Sequence, residues 1–304
     1  MFNQYRKYLL VAVVLVSVFV LSGCNVDHYD YPVHVEGYGF NWVQAIVGWL
    51  GDFLIFLTRI TGGQYIVGLF LLTLIVRIVG WPIYSKSTAM SANMQLAQPD
   101  LNSLKEKYQN KKDEASQRMY QQEMMQIYKK YNINPLGCLL PFLQMPIFIA
   151  MYQVVRRLPL AAHPDRYVDT EKGIPDLSHT VEGINFEFLF MDFAADTPST
   201  SNFDISQHWI NILLALIVGL TMYFYQQYAM KRPNYLKNKN YPKTPQQIQS
   251  EKTMKFMTYF MVVMLTSIAF TNLGIAFYWI IGNLFQFVQT YVNRKKMQKK
   301  LEEA

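Results

Sequence analysis

The chain has 304 residues, of which 51% are hydrophobic, 15% aromatic and 16% charged, with a formal net charge of +7. Too much apolar surface is present for a disordered chain, and repeated apolar runs of membrane-spanning length exclude an ordinary soluble domain. Two cysteines, one in the N-terminal signal and one (Cys138) at the edge of an apolar stretch, imply neither a disulfide framework nor a zinc site.

The first 23 residues read as a processing signal. Arg6 and Lys7 form a basic start, and Leu9 to Leu21 is an apolar core too short for a comfortable span. It ends in Leu21-Ser22-Gly23-Cys24, which resembles a bacterial lipobox. Small residues admit the peptidase and the Cys24 thiol takes the lipid, so the mature chain is expected to start at a lipidated Cys24 on the outer face.

Residues 24–64 follow as an extracytoplasmic segment. Within it, Phe40 to Ile60 places Val43, Ile46, Val47, Leu50, Phe53, Leu54 and Leu57 at helical spacing on one side. Such a segment can span or lie in the interface. The next apolar stretch, 65–84, contains Arg77. A guanidinium there costs about 2.5–3.5 kcal/mol on insertion scales, so it calls for a counter-ion, a substrate or a hydrated cavity. The inner end of the stretch is roughly 9 Å away along the helix, so snorkelling to the headgroups is the competing reading.

Residues 85–135 are charged and helical in character. Met90, Met94, Ala97, Leu101, Leu104 and Tyr108 recur at heptad-like spacing, and Tyr120, Met124, Ile127 and Tyr131 do so again beyond a turn at Asn110 to Asp113. This pattern predicts an antiparallel helical hairpin. Pro99 is expected to kink or restart its first arm. Four more spans are read at 136–158, 209–230, 254–271 and 274–293, separated by an outer loop 159–208, a cytoplasmic loop 231–253 and a basic tail 294–304. Met254, Met257, Met261 and Met264 form a stripe on the fourth span, expected to be used mostly in ordinary packing.

Charge sets the orientation. If Phe40–Ile60 stays outside, the inner segments, counted through Lys255, hold 20 of the 28 basic residues, whereas loop 159–208 holds two basic residues against nine acids. That asymmetry follows the positive-inside rule and favours an outer interfacial helix for 40–60. Arg156 and Arg157, at the outer end of the second span, run against it. The fold class expected is an all-α integral membrane protein with a five-transmembrane-helix core, a cytoplasmic antiparallel helical hairpin and an outer interfacial amphipathic helix.

The motifs then become specific. Arg77, Tyr84-Ser85-Lys86-Ser87-Thr88-Ala89-Met90, Gln98-Pro99, Asn134-Pro135-Leu136-Gly137-Cys138-Leu139-Leu140-Pro141, Gln144-Met145-Pro146-Ile147-Phe148, Phe188-Leu189-Phe190-Met191-Asp192-Phe193 and Phe277-Tyr278-Trp279 with Asn283 and Gln289 together resemble the YidC/Oxa/Alb-type membrane protein insertases, in their short lipoprotein form. The turn Thr271-Asn272-Leu273-Gly274 departs from the proline-containing turn usual in that family. The resemblance implies five helices around a hydrated groove, open to cytoplasm and lipid and carrying a basic residue that corresponds to Arg77. Candidate lining residues are Thr73, Gln144, Gln226, Trp279, Asn283 and Gln286, with Thr290 following on the face of the last span. The amides can equally serve as bridges between helices.

The implied activity is insertion and folding of integral membrane proteins without nucleotide. Implied partners are nascent membrane proteins, the ribosome through the hairpin and basic tail, a Sec translocon and membrane lipid. No cofactor is expected beyond the covalent lipid on Cys24. His28, His34, His163, His179 and His208 form no HExxH pair, and no phosphate-binding loop or nucleophile elbow is present, so no metal site or enzymatic centre is read. The alternatives are a channel or transporter using Arg77 as an anion site, and a chaperone that assembles membrane subunits without inserting them.

Overall fold

The computed structural model describes residues 32–33, 41–111, 113–134, 140–168, 174–194, 205–231 and 245–303. The signal segment, Cys24, Cys138 and most of loop 231–253 lie outside them. Among the described residues there are seven α-helices: α1 (Asn41–Ile60), α2 (Tyr65–Tyr108), α3 (Glu114–Lys130), α4 (Leu140–Arg157), α5 (Ile205–Met230), α6 (Pro245–Phe270) and α7 (Leu273–Glu302). Four of them, α1, α2, α5 and α6, are long and apolar enough to cross a membrane. In α7, Asn283, Gln286 and Gln289 dilute the apolar character of the membrane-length portion. The chain divides into two compact units, residues 1–72 with 146–196 and residues 73–145 with 197–304.

In the first unit, α1 buries Val47, Leu50, Leu54 and Leu57, a run spaced three, four and three residues apart. Its opposite face is apolar too, with Trp49, Phe56 and Ile60 exposed and the Trp49, Phe53 and Phe56 rings stacked in sequence. Tyr65 at the start of α2 is buried between the rings of Phe186 and Phe193, and its hydroxyl donates to the Val155 carbonyl at 3.3 Å. Phe186 and Phe193 flank a short antiparallel ribbon, β1 (Glu187–Phe188) with β2 (Met191–Asp192). Backbone bonds from Tyr65 to Asn185 and from Asn185 to Gly63 tie that ribbon's base to the α1–α2 turn. Arg157 at the end of α4 is fully buried, donating to the Pro32 carbonyl at 2.9 Å, Gln153 Oε1 at 3.1 Å and Gln44 Oε1 at 3.4 Å.

In the second unit, α5 packs on both α6 and α7. Regular helical geometry in α5 is interrupted at His208, so the apolar portion effectively starts at Trp209. Asn211 Nδ2 reaches the Phe270 carbonyl at the end of α6. At the other end of α5, Arg294 of α7 donates to the Tyr228 and Ala229 carbonyls at 2.9 and 2.7 Å and lies over the Tyr228 ring. A cation there satisfies terminal carbonyls and complements the helix dipole. The first residue of the basic tail thus has a structural task, and the tail continues α7 to Glu302. The turn before α7 uses Asn272 as its N-cap, accepting from Ile275 N at 3.1 Å, so an asparagine side chain starts the helix in place of a proline turn.

Of the kink or restart expected at Pro99, the restart does not occur, because helix α2 continues through Pro82 and Pro99. One expectation needs correction. The Met254, Met257, Met261 and Met264 stripe is exposed, not packed. From Phe256 onward helix α6 is apolar on every side and contributes little of its surface to the protein interior, so a methionine stripe on it marks no core face.

The C-terminal end of α2 and helix α3 pack antiparallel. Ala97, Leu101 and Ile133 form the buried seam, with Met94, Met124, Ile127, Tyr128 and Tyr131 against it. Asp113 caps α3 by accepting from Ser116 N. Asn132 ends it in the left-handed region, φ 51°, with Ile133 N donating back to the Tyr128 carbonyl. Polar bonds flank the seam: Lys107 to Glu123 at 2.7 Å, Tyr108 to Glu123 at 2.8 Å and Lys130 to Asp100 at 2.7 Å.

The Lys107 bond holds Glu123 below the usual carboxylate range, and the Lys130 bond does so for Asp100. A depressed carboxyl contributes stability above its unfolded value, which is lost as pH falls through the folded one. Hydrogen exchange on the intact protein is therefore expected to show arm 97–131 losing protection as pH drops below about 4. Lysines 107 and 130 are raised by the same bonds, so their share persists until alkaline pH. Unchanged protection down to pH about 3 would remove these bonds from the hairpin's stability.

Candidate polar site around Arg77

Arg77 lies in the middle of the apolar part of α2 and is only 7% exposed. Its guanidinium does not extend along α2 toward solvent. It lies across α7, with Cζ 6.0 Å from the centroid of the Tyr278 ring, at the outer limit of a cation–π contact. One turn further along α7, Gly282 faces the same group. A Cβ built there would stand 2.5 Å from one terminal nitrogen, 3.3 Å from Cζ and 3.5 Å from Nε. Tyr84, two turns below Arg77 on α2, has Arg77, Tyr278 and Tyr225 as its charged and phenolic neighbours. Among the described residues no carboxylate pairs with Arg77.

The other candidate polar residues lie on α2, α4, α5 and α7. Asn283 is buried and donates from Nδ2 to Thr221 Oγ1 on α5 at 3.2 Å. Trp279 and Thr73 are buried, while Gln286, Thr290 and Gln226 are half-buried. The side chain of Gln144 lies outside the described residues. The structure therefore gathers Arg77 with α7, and Tyr278 and Gly282 stand beside its guanidinium.

Further polar groups continue toward the C-terminal end of α7. Gln289 and Asn293 are buried, and Ser85 Oγ donates to Asn293 Oδ1 at 3.1 Å. Tyr84 Oη, Gln289 Nε2 and Asn293 Nδ2 are buried without a hydrogen-bond partner among the described residues. Buried polar atoms of this kind require a partner such as water or a bound chain. Gln289 was visible in the sequence only as part of the family motif, and Asn293 only as the end of a span. Gln289 and Asn293 are four residues apart, and Asn293 follows Gln286 by seven; that spacing puts each pair on one helix side and is the signal that could have found them. Among the described residues no cluster of three His, Cys, Asp or Glu side chains could hold a metal ion.

Comparison with known proteins agrees with this layout. The 60Kd inner membrane protein family matches residues 56–300, a stretch that includes Arg77, the hairpin and all of α4 to α6. The chain is 29% identical to membrane protein insertase YidC 1 of Halalkalibacterium halodurans, over 95% of this chain and 91% of that one. It is 29% identical to membrane protein insertase YidC of Enterococcus faecalis, over 99% and 91%. It is 28% identical to membrane protein insertase MisCA of Bacillus subtilis, over 91% and 88%. A match along most of the chain, on a helical framework with several helices of membrane-spanning length, makes this a multi-pass membrane protein of the 60Kd inner membrane protein family, of YidC type.

Proposed function

We propose that this protein inserts other membrane proteins into the bilayer and assists their folding. The observation that carries the reading is Arg77: a buried cation on a membrane-length helix, without a carboxylate, set among amides and phenols in a chain matched to insertases. A client whose leading segment is polar or acidic pays a large cost to cross hydrocarbon without partners. Arg77 offers that segment a counter-charge. Tyr84, Gln289 and Asn293 offer polar capacity between Arg77 and the cytoplasmic end. The client's apolar helix then leaves sideways into lipid by its own transfer free energy. The membrane potential adds about 2.3 kcal/mol per acidic charge per 100 mV, and no nucleotide is required.

In this reading the core has five spans, with α4 and α7 joining the crossing segments, and the polar groups line a groove open to cytoplasm and lipid. The helix α1 lies at the outer interface. The 20 basic residues of the inner segments keep the hairpin and the C-terminus cytoplasmic. Cys24 carries the covalent lipid outside. The hairpin and tail receive the ribosome or the emerging client, and a Sec translocon is a further partner.

A photoreactive residue at position 286 tests the reading while leaving Arg77 in place. Ribosome-stalled single-span clients are expected to crosslink to it early, before their apolar helix has cleared the ribosome. Crosslinks only to clients already inserted would support an assembly chaperone instead. Ion or solute flux in liposomes, with no nascent-chain crosslink, would support a channel.

A further inference from the structure

We propose that Gly282 is the seat of the Arg77 guanidinium and thereby a positioning residue for insertion. The inference rests on the insertase reading of Arg77 given above.

Glycine inside a helix loosens it relative to alanine, so a glycine in the middle of α7 calls for a reason. Small residues in membrane helices usually admit a neighbouring backbone. That is not what Gly282 does. The three heavy atoms nearest its absent side chain are one terminal nitrogen, Cζ and Nε of Arg77, and the nearest would stand 2.5 Å from a Cβ. Real Cβ contacts do not occur at that distance. The missing side chain is occupied by the cation.

The surroundings hold that arrangement. Tyr278 stands four residues earlier on the same side of α7, and Arg77 lies against its ring. Asn283, the next residue, is tied to Thr221 of α5, which fixes the rotation of α7 about its axis. Gly282 itself is buried. The guanidinium thus rests in a shallow notch with Tyr278 at one end. A methyl group at 282 would push the flexible end of Arg77 away and leave the helix backbones where they are.

The test uses the full-length protein in its native membrane. Gly282→Ala is expected to raise the rate of phenylglyoxal adduct formation at Arg77 about threefold, as expected for a side chain forced from its rotamer well. Arg294, read by mass spectrometry in the same sample, serves as the reference and should not change. Insertion of clients with acidic leading segments should fall in parallel.

The same substitution is then placed on Arg77→Lys. A lysine ends where Cζ stands, 3.3 Å from the new Cβ, and needs only a small adjustment. Gly282→Ala should therefore cost little further insertion on that background. An unchanged adduct rate at Arg77 overturns the seat. So does an equal loss on both backgrounds, which would make Gly282 a matter of helix packing. A raised adduct rate with full insertion overturns the positioning role. Normal insertion by Arg77→Ala would instead sink the insertase role of Arg77, and the adduct rate would still report on the seat.

Discussion

Replacing Arg77 with alanine is expected to lower insertion of single-span clients with acidic leading segments by about tenfold or more, with the fold left intact. The magnitude follows from the electrostatics. Two unit charges about 4 Å apart interact by about 4 kcal/mol at an effective dielectric of 20, and a third of that is already tenfold. The fold should survive because the cation has no buried carboxylate to strand. Removing it relieves the desolvation cost and leaves the Tyr278 ring, the Tyr84 hydroxyl and the Gly282 notch without their cation. Depletion of the endogenous insertase, followed by a protease-protection assay on the variant, reads the effect. Clients with uncharged leading segments should be affected less, because they gain least from the counter-charge. Arg77→Lys should retain much of the activity where charge alone is used. Normal insertion of acidic-tailed clients by Arg77→Ala would remove Arg77 from the mechanism.

How much of this site the sequence revealed depends on what periodicity can say. A guanidinium in an apolar run was legible at once, because nothing else in residues 65–83 resembles it. The hairpin seam was legible too, since heptad spacing names a face and the partner arm is adjacent in sequence. Ala97, Leu101, Leu104 and Tyr108 are buried, and Ile127 and Tyr131 pack against them or their neighbours. The partners of Arg77 were not legible. Spacing puts Trp279, Asn283, Gln286 and Thr290 on one side of α7, but does not say how that side is rotated against α2. One residue corresponds to about 100° on a helix, and the residues that meet the cation are Tyr278 and Gly282, one position earlier. A glycine carries no side-chain signal, so its role emerges only when the neighbour's coordinates are known. The methionine stripe failed for the complementary reason. On a helix apolar all round, spacing cannot separate a packed face from one turned to lipid.

Arg157 was the residue that fitted the charge pattern least, and its substitution is expected to have the largest effect on stability. A basic residue at the outer end of a span counts against the positive-inside rule only if its charge is free to act on the surface. Arg157 is fully buried, and its two terminal nitrogens donate to the Pro32 carbonyl and to the side chains of Gln153 and Gln44. It therefore serves the fold. It joins α4 to α1 and to the segment around Pro32, where Val33 is buried with its methyl groups against Gly51. Arg157→Ala would leave those acceptors unsatisfied and open a cavity where one of the largest fully buried side chains among the described residues now sits. Each buried acceptor left without a donor costs about 1–3 kcal/mol, so a total of about 3 kcal/mol is expected. Thermal unfolding in detergent should shift down by on the order of 5 °C or more. Arg156→Ala is the control, because its half-buried side chain donates to Tyr152 within its own helix. An Arg157→Ala variant as stable as the Arg156→Ala control would show that the buried guanidinium is compensated elsewhere. A selective loss would explain why a positive charge persists on the side of the membrane where the charge count predicts few.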